Sequence, residues 1–270
     1  MKKQDILKFV VLSALTIILY IPAFNWMVGN WSGRDTYYSH GFLIPFISTF
    51  IIWQKRKALS QLPLNPVNWG WFLFLGGILI HIISTLWQVN FTSAFSFMLT
   101  LVGLVLLFFG KNYLRQLLFP IAFLLFMIPL PAVAIANLSF RLKIFAAQIA
   151  TFTINKLGVP AIREGSLIRT IHSQVMVEDP CSGIRSLIAL IALGALMAYY
   201  SNLSRAKKTV LFISSVPIAV STNIIRIIAL SMVSEIYGEK YATGLFHDTM
   251  GILVFVFAFL GLVLVERLLE

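Results

Sequence analysis

Long apolar stretches separated by short polar ones dominate the chain, and their lengths set the first expectation. Eight runs approach the roughly 20 apolar residues that a helix needs to cross a bilayer. They are Ile6–Val28, His40–Trp53, Trp69–Trp87, Phe91–Gly110, Gln116–Ala136, Gly183–Tyr200, Val210–Ser234 and Thr249–Val265. The second is short unless it begins near Tyr37. The fifth contains Pro120, Pro129 and Pro131, which predicts a kink or an early end. No small-residue cleavage site follows the first run, so it reads as a retained anchor rather than a cleaved signal peptide. The pattern predicts an all-α polytopic membrane protein of about eight transmembrane helices, with residues 1–270 as a single integral membrane domain.

One insertion breaks the pattern, at about 137–180. Its first part, Leu138–Leu157, has apolar residues at near-helical spacing with scattered Arg and Lys, and reads as an amphipathic helix on the membrane surface. In its second part, Leu167–Ile171 and Gln174–Val177 are β-prone, and His172 and Ser173 between them supply a turn. This predicts a small β-hairpin that feeds into the sixth run.

Composition strengthens the membrane reading. Apolar residues make up 59% of the chain, charged residues only 11%, and the mean hydropathy is +0.89. That leaves too little polar surface to coat a soluble globule. The net charge of +11 does not imply a nucleic-acid partner, because the basic residues sit in short clusters between apolar runs. With the amino terminus inside, Lys2, Lys3, Lys8, Lys55, Arg56, Lys57, Lys111, Arg115, Arg205, Lys207, Lys208 and Arg267 fall on the cytoplasmic side. Arg34, Arg141, Lys143, Lys156, Arg163, Arg169 and Lys240 fall outside, with Arg141 and Lys143 in tension with the rule. Both termini are then cytoplasmic, and the insertion is extracytoplasmic.

Candidate chemistry gathers on that outer side. Asp179 suits a helix N-cap and Pro180 the first helical position, which puts Cys181 in the first turn of the sixth run. A helix N-terminus lowers a thiol pKa, although a lone cysteine also serves as a small buried apolar residue. Arg226 lies 16 residues beyond Val210, about 24 Å along a helix and inside the roughly 30 Å hydrocarbon core. It either snorkels to the interface or acts on a thiolate or oxyanion. His247, followed by Asp248, precedes the eighth run; it is either a polar anchor or a base whose pKa Asp248, Glu235 or Glu239 raises. A nucleophile, an electrophilic stabiliser and a base on one face meet the needs of acyl transfer from a peptide bond. His40 at the same face and Arg185, at i+4 from Cys181, are auxiliary candidates, with Asn223 beside Arg226. His172 is a weaker rival base, and His81, mid-run, reads as a packing or hydrogen-bonding residue. The histidines lack metal-ligand spacing and CxxC and HExxH are absent, so nothing calls for a metal.

Several motifs resemble the exosortase/archaeosortase family of membrane cysteine proteases and transpeptidases. Cys181–Leu187 (CSGIRSL) is similar to the family's cysteine motif, Asn223–Ile227 (NIIRI) to its arginine motif and His247–Gly251 (HDTMG) to its histidine motif. Tyr38–Pro45 (YSHGFLIP) with Trp53–Lys57 (WQKRK), and Arg163–Gly165 (REG), resemble further family segments. The order and the spacing, 45 residues from Cys181 to Arg226 and 21 more to His247, agree as well. The resemblance implies a triad of Cys181 as nucleophile, Arg226 as thiolate or oxyanion stabiliser and His247 as general acid/base, with no cofactor. It also implies a prokaryotic cytoplasmic-membrane enzyme whose partners are secreted proteins with a C-terminal sorting tail. That tail comprises a short signature (PEP in the best-known class), a transmembrane helix and a basic cluster. Cleavage passes the new carboxyl end to a saccharide or lipid acceptor, in a setting tied to exopolysaccharide production. The rival readings are a transporter, a scaffold of a polysaccharide export system and a membrane acyltransferase. A transporter predicts mid-span acids and internal symmetry, neither of which the sequence displays. A scaffold leaves Cys181 without a role.

Overall fold

The structure, a computed structural model, describes residues 3–33, 36–177, 183–238, 240 and 245–270, excluding the side chains of Leu245, His247 and Asp248. The chain divides into two compact units, Met1–Leu130 and Pro131–Glu270.

The first unit contains α1 (Lys3–Leu19), α2 (Ile21–Ser32), α3 (Leu43–Gln54), α4 (Arg56–Ser60), α5 (Gly70–Leu86), α6 (Asn90–Phe108) and α7 (Lys111–Phe123). Short 3-10 turns cover Ser39–Phe42 and Leu124–Met127. The first apolar run is not one straight helix: α1 and α2 meet at a 55° bend at Tyr20. Pro22 lies in the first turn of α2, where its missing N–H costs least. At the bend the Leu19 carbonyl accepts a hydrogen bond from Nε2 of His81 at 2.9 Å. The His81 Nδ1 therefore accepts from Ser93 Oγ, also at 2.9 Å. The Tyr20 hydroxyl bonds Ser96 and Thr100, each at 2.9 Å, and its ring lies 4.0 Å from that of His81. His81 is thus a buried, doubly bonded structural residue, as its mid-run position implied. The network fits between α5 and α6 because their backbones run close together. A Cβ at Gly103 would lie 2.5 Å from the Phe74 backbone nitrogen.

The α7 helix carries Pro120 in its interior. Proline cannot donate to the carbonyl four residues earlier, that of Gln116. Lys55 Nζ fills the vacancy with a 2.8 Å hydrogen bond to that oxygen. The predicted fifth run, Gln116–Ala136, is not a single helix. After the 3-10 turn, Ile128 is extended, as residues before proline are, and Pro129 and Pro131 stop helix formation.

The second unit holds α8 (Ala132–Lys156), a sheet of β1 (Ile162–Glu164), β2 (Leu167–Arg169) and β3 (Gln174–Met176), then α9 (Ile184–Tyr200), α10 (Arg205–Tyr237) and α11 (Leu245–Leu269). The segment expected as a surface helix at Leu138–Leu157 is the larger part of α8. It has 25 residues and is long and apolar enough to cross a membrane. The two prolines moved the break upstream, so residues assigned to the end of a fifth span became the start of this helix. The predicted hairpin is present as β2 and β3, antiparallel, with Ile168 opposite Val175. A third strand, β1, pairs with β2 across a turn at Gly165, whose φ of +65° suits glycine.

Among the described residues, α6, α8, α10 and the Thr249–Leu269 part of α11 are long and apolar enough to cross a membrane, and the bent α1–α2 pair makes a fifth. The apolar runs at α3, α5 and α9 form shorter helices, of 12, 17 and 17 residues. The chain is therefore mostly helical, with four to five candidate spans and a small three-stranded sheet. With 33 residues, α10 is about 50 Å long, well beyond a hydrocarbon core of about 30 Å.

Candidate active site

The second unit is organised around α10, which packs against α8, α9, α11 and β3. Small residues on α8 (Ala146, Ala147 and Ala150) let the helices approach. Ile224 and Ile227 of α10 join them in a buried cluster with Ile154, Ile168 and Val177. This cluster fixes the hairpin against the middle of α10. On the other side, Ala219 of α10 packs with Leu187 and Leu190 of α9 and with Ala258 and Leu262 of α11.

Asn223 is buried on α10 and meets the start of α9 directly. Gly183, the N-cap of α9, has φ +80°, and a Cβ there would lie 2.7 Å from Asn223 Cγ. Only glycine combines that backbone conformation with that proximity. The Gly183 carbonyl then accepts hydrogen bonds from Leu187 N and Ser186 Oγ, each at 2.9 Å.

The expected cap at Asp179, with Pro180 and Cys181 in the first helical turn, falls on positions outside the described residues. The described part of α9 starts at Ile184, with Gly183 as its cap. Arg185 is the second residue of α9, and its buried Nε has no hydrogen-bond partner among the described residues.

Arg226 follows Asn223 by three residues and is half-buried. Its Nη2 lies 3.9 Å from where a Cβ would stand on Gly251 of α11. Gly251 ends the HDTMG motif, and position 247 lies four residues earlier in the same helix, on the same face. His247 therefore lies in the first turn of α11, not ahead of the last apolar helix. Beside Arg226 a cavity of about 290 Å³ opens, lined by Thr222, Ile225, Met250, Leu253, Val254 and Phe257. Its walls are apolar apart from Arg226 and Thr222. Thr222, Ile225 and Arg226 on α10, and Met250, Leu253, Val254 and Phe257 on α11, each form one helical stripe.

Glu235 faces the hairpin. Its Oε2 accepts the His172 backbone N–H at 3.0 Å, in a turn closed by the Thr170 hydroxyl bonding Ser173. This contact escaped the sequence reading because Glu235 is 63 residues from the turn it holds. A single acid at the end of a long apolar helix was the only available sign. The rival base His172 contributes its backbone to this turn. His40 belongs to the first unit, in the Ser39–Phe42 turn, where its ring lies 5.8 Å from that of Tyr38. One ring nitrogen bonds the Phe126 carbonyl, and its buried Nε2 has no partner among the described residues.

A family model described as transmembrane exosortase matches residues 30–264. No curated protein and no solved structure matches the chain.

Proposed function

The chain belongs to the transmembrane exosortase family, and we propose that it is a cysteine transpeptidase acting on C-terminal sorting tails of secreted proteins. The observation that carries this reading is the meeting of the motif segments on four residues of α10. Asn223 touches Gly183 of the cysteine motif, and Arg226 reaches Gly251 of the histidine motif. Cys181 is two residues from Gly183, so covalent geometry keeps their Cα atoms within about 7 Å. This convergence of the motif segments supports a site in which the three groups act together.

In the proposed mechanism the Cys181 thiolate attacks the scissile carbonyl carbon and forms the C–S bond. The guanidinium of Arg226 holds the carbonyl oxygen as it takes negative charge. As the tetrahedral species collapses, the C–N bond breaks and His247 donates a proton to the departing amine. A thioester on Cys181 remains. An acceptor amine or hydroxyl, or water, gives its proton to His247, attacks the thioester and releases the thiolate. The apolar cavity beside Arg226 suits a hydrophobic substrate segment, consistent with a sorting tail whose helix stays in the membrane. In this reading the enzyme is an eight-span protein of the cytoplasmic membrane, with cytoplasmic termini and an extracytoplasmic site.

The test is processing in cells. A C-terminally tagged sorting-tail protein from the same genome is co-expressed with wild type, Cys181→Ala, Arg226→Ala and His247→Ala, each checked for expression. Wild type is expected to cleave, and well-expressed Cys181→Ala to accumulate precursor. Equal cleavage by Cys181→Ala would remove the nucleophile and favour a scaffold or transporter.

A further inference from the structure

We propose that the basic, tryptophan-rimmed end of the first unit binds the phosphate headgroups of anionic phospholipids. The Trp53–Lys57 segment (WQKRK), which the chemistry at Cys181 leaves unused, supplies part of this surface. Arg56 and Lys57 are exposed in α4, directly after α3, and Lys111 and Arg115 are exposed in the first turns of α7. Backbone contacts bring these segments together. Lys55 Nζ donates to the Gln116 carbonyl at 2.8 Å, which ties the end of α3 to α7. The Asn65 N–H donates to the Phe109 carbonyl at 3.3 Å and Asn65 bridges Gly110, which ties the loop before α5 to the start of α7.

The charge at this end is one-sided. The sequence has no Asp or Glu between Asp35 and Glu164. Asp5 is the one carboxylate among the described residues of this unit, and Lys3 and Lys8 flank it on α1. Lys111 and Arg115 stand at i and i+4, on one face of α7. Like charges at that spacing repel, and a phosphate between them turns repulsion into attraction. Two of the cations are also held by aromatic rings. The Arg56 guanidinium lies 4.1 Å over the Trp53 ring and donates to the Trp53 carbonyl at 2.9 Å, and Lys111 Nζ lies 5.8 Å from the centre of the Trp69 ring. Both tryptophans are exposed, and such rings favour the headgroup level of a bilayer. They set the cations at the depth of lipid phosphates, where basic residues attract anionic lipid. The cluster at Arg205–Lys208 in the second unit differs. There Lys207 Nζ donates to the Glu270 main-chain oxygen at 3.4 Å, so the end of α11 that carries Glu266 and Glu270 accompanies the cations.

Thermal unfolding of the purified full chain in neutral detergent tests the proposal, with phosphatidylglycerol, phosphatidylcholine or inorganic phosphate added. Phosphatidylglycerol is expected to raise the wild-type Tm by about 5 °C near saturation. Phosphatidylcholine and inorganic phosphate at the same concentration are expected to leave it unchanged. Arg56→Gln/Lys111→Gln/Arg115→Gln is expected to keep the lipid-free Tm and lose the shift, since each cation near the surface is worth about fivefold in affinity. Lys111→Gln alone, which serves if the triple variant does not fold, is expected to need about fivefold more lipid for the same shift. Arg205→Gln/Lys207→Gln removes two charges from the other cluster and is expected to respond as wild type. The proposal is overturned by no shift in wild type, or by an equal shift with phosphatidylcholine or inorganic phosphate. An undiminished response in the triple variant or in Lys111→Gln, or an equal loss in Arg205→Gln/Lys207→Gln, overturns it as well.

Discussion

Replacing Gly183 with alanine tests the junction on which the candidate site depends. Two costs follow from its geometry. The backbone stands at φ +80°, a left-handed conformation that costs an L-residue about 1–2 kcal/mol. The new methyl would also lie 2.7 Å from both Asn223 Cγ and Asn223 Nδ2. Overpacking of this kind costs roughly 1–3 kcal/mol, giving a total of about 2–5 kcal/mol. Since domains are stable by roughly 5–15 kcal/mol, Gly183→Ala is expected to fold with a melting temperature lowered by roughly 5–15 °C. Relief of the clash must move Asn223 or the start of α9, so processing is expected to fall by more than the loss of folded protein explains. A double-mutant cycle with Asn223→Ala isolates the steric part, because the second substitution removes the obstructing amide but not the strained φ. The expected coupling is at least about 1 kcal/mol, with the double variant more stable than the sum of the singles. The assays are thermal unfolding in detergent and processing normalised to folded enzyme. Gly183→Ala with wild-type stability and processing, or strict additivity in the cycle, would refute the close contact.

Other positions give independent tests. At Gly251 a methyl group meets Arg226 Nη2 at an ordinary 3.9 Å, so Gly251→Ala is expected to process normally. Gly251→Leu should displace the guanidinium and reduce processing more than tenfold with little change in melting temperature. His81→Ala leaves the Leu19 carbonyl and Ser93 without their partner, and is expected to cost about 2–4 kcal/mol by unfolding, with unaltered activity per folded molecule. Lys55→Met uncovers the Gln116 carbonyl and is expected to cost about 1–2 kcal/mol. In a Pro120→Ala background the helix regains its own donor, so the thermal shift from Lys55→Met should shrink by at least half.

Legibility in the sequence varied with the range of the interaction. The apolar runs announced a mostly helical membrane protein because burial in lipid demands apolar length. They did not announce where helices stop. That depended on local backbone chemistry at Pro22, Pro129 and Pro131, and at Gly183, whose left-handed backbone caps the described start of α9. The hairpin was readable from β-prone residues around His172 and Ser173, whereas β1 is three exposed residues that gain their identity only by pairing with β2. The arginine motif was visible as charge inside an apolar run, and His81 as a polar residue that had to find partners. The contacts of Asn223 with Gly183, Arg226 with Gly251 and Glu235 with the hairpin turn join positions far apart in the chain, and no local pattern encodes them.

The central claim is that Cys181 carries the substrate through an acyl intermediate, and trapping that intermediate tests it most directly. Purified enzyme is mixed with a sorting-tail substrate in the absence of added acceptor, quenched in acid and digested for mass spectrometry. The account predicts that the peptide containing Cys181 gains the mass of the substrate's upstream fragment, and that neutral hydroxylamine removes it. Turnover of substrate with Cys181 unmodified, and the acyl group found on another residue or on none, would contradict it.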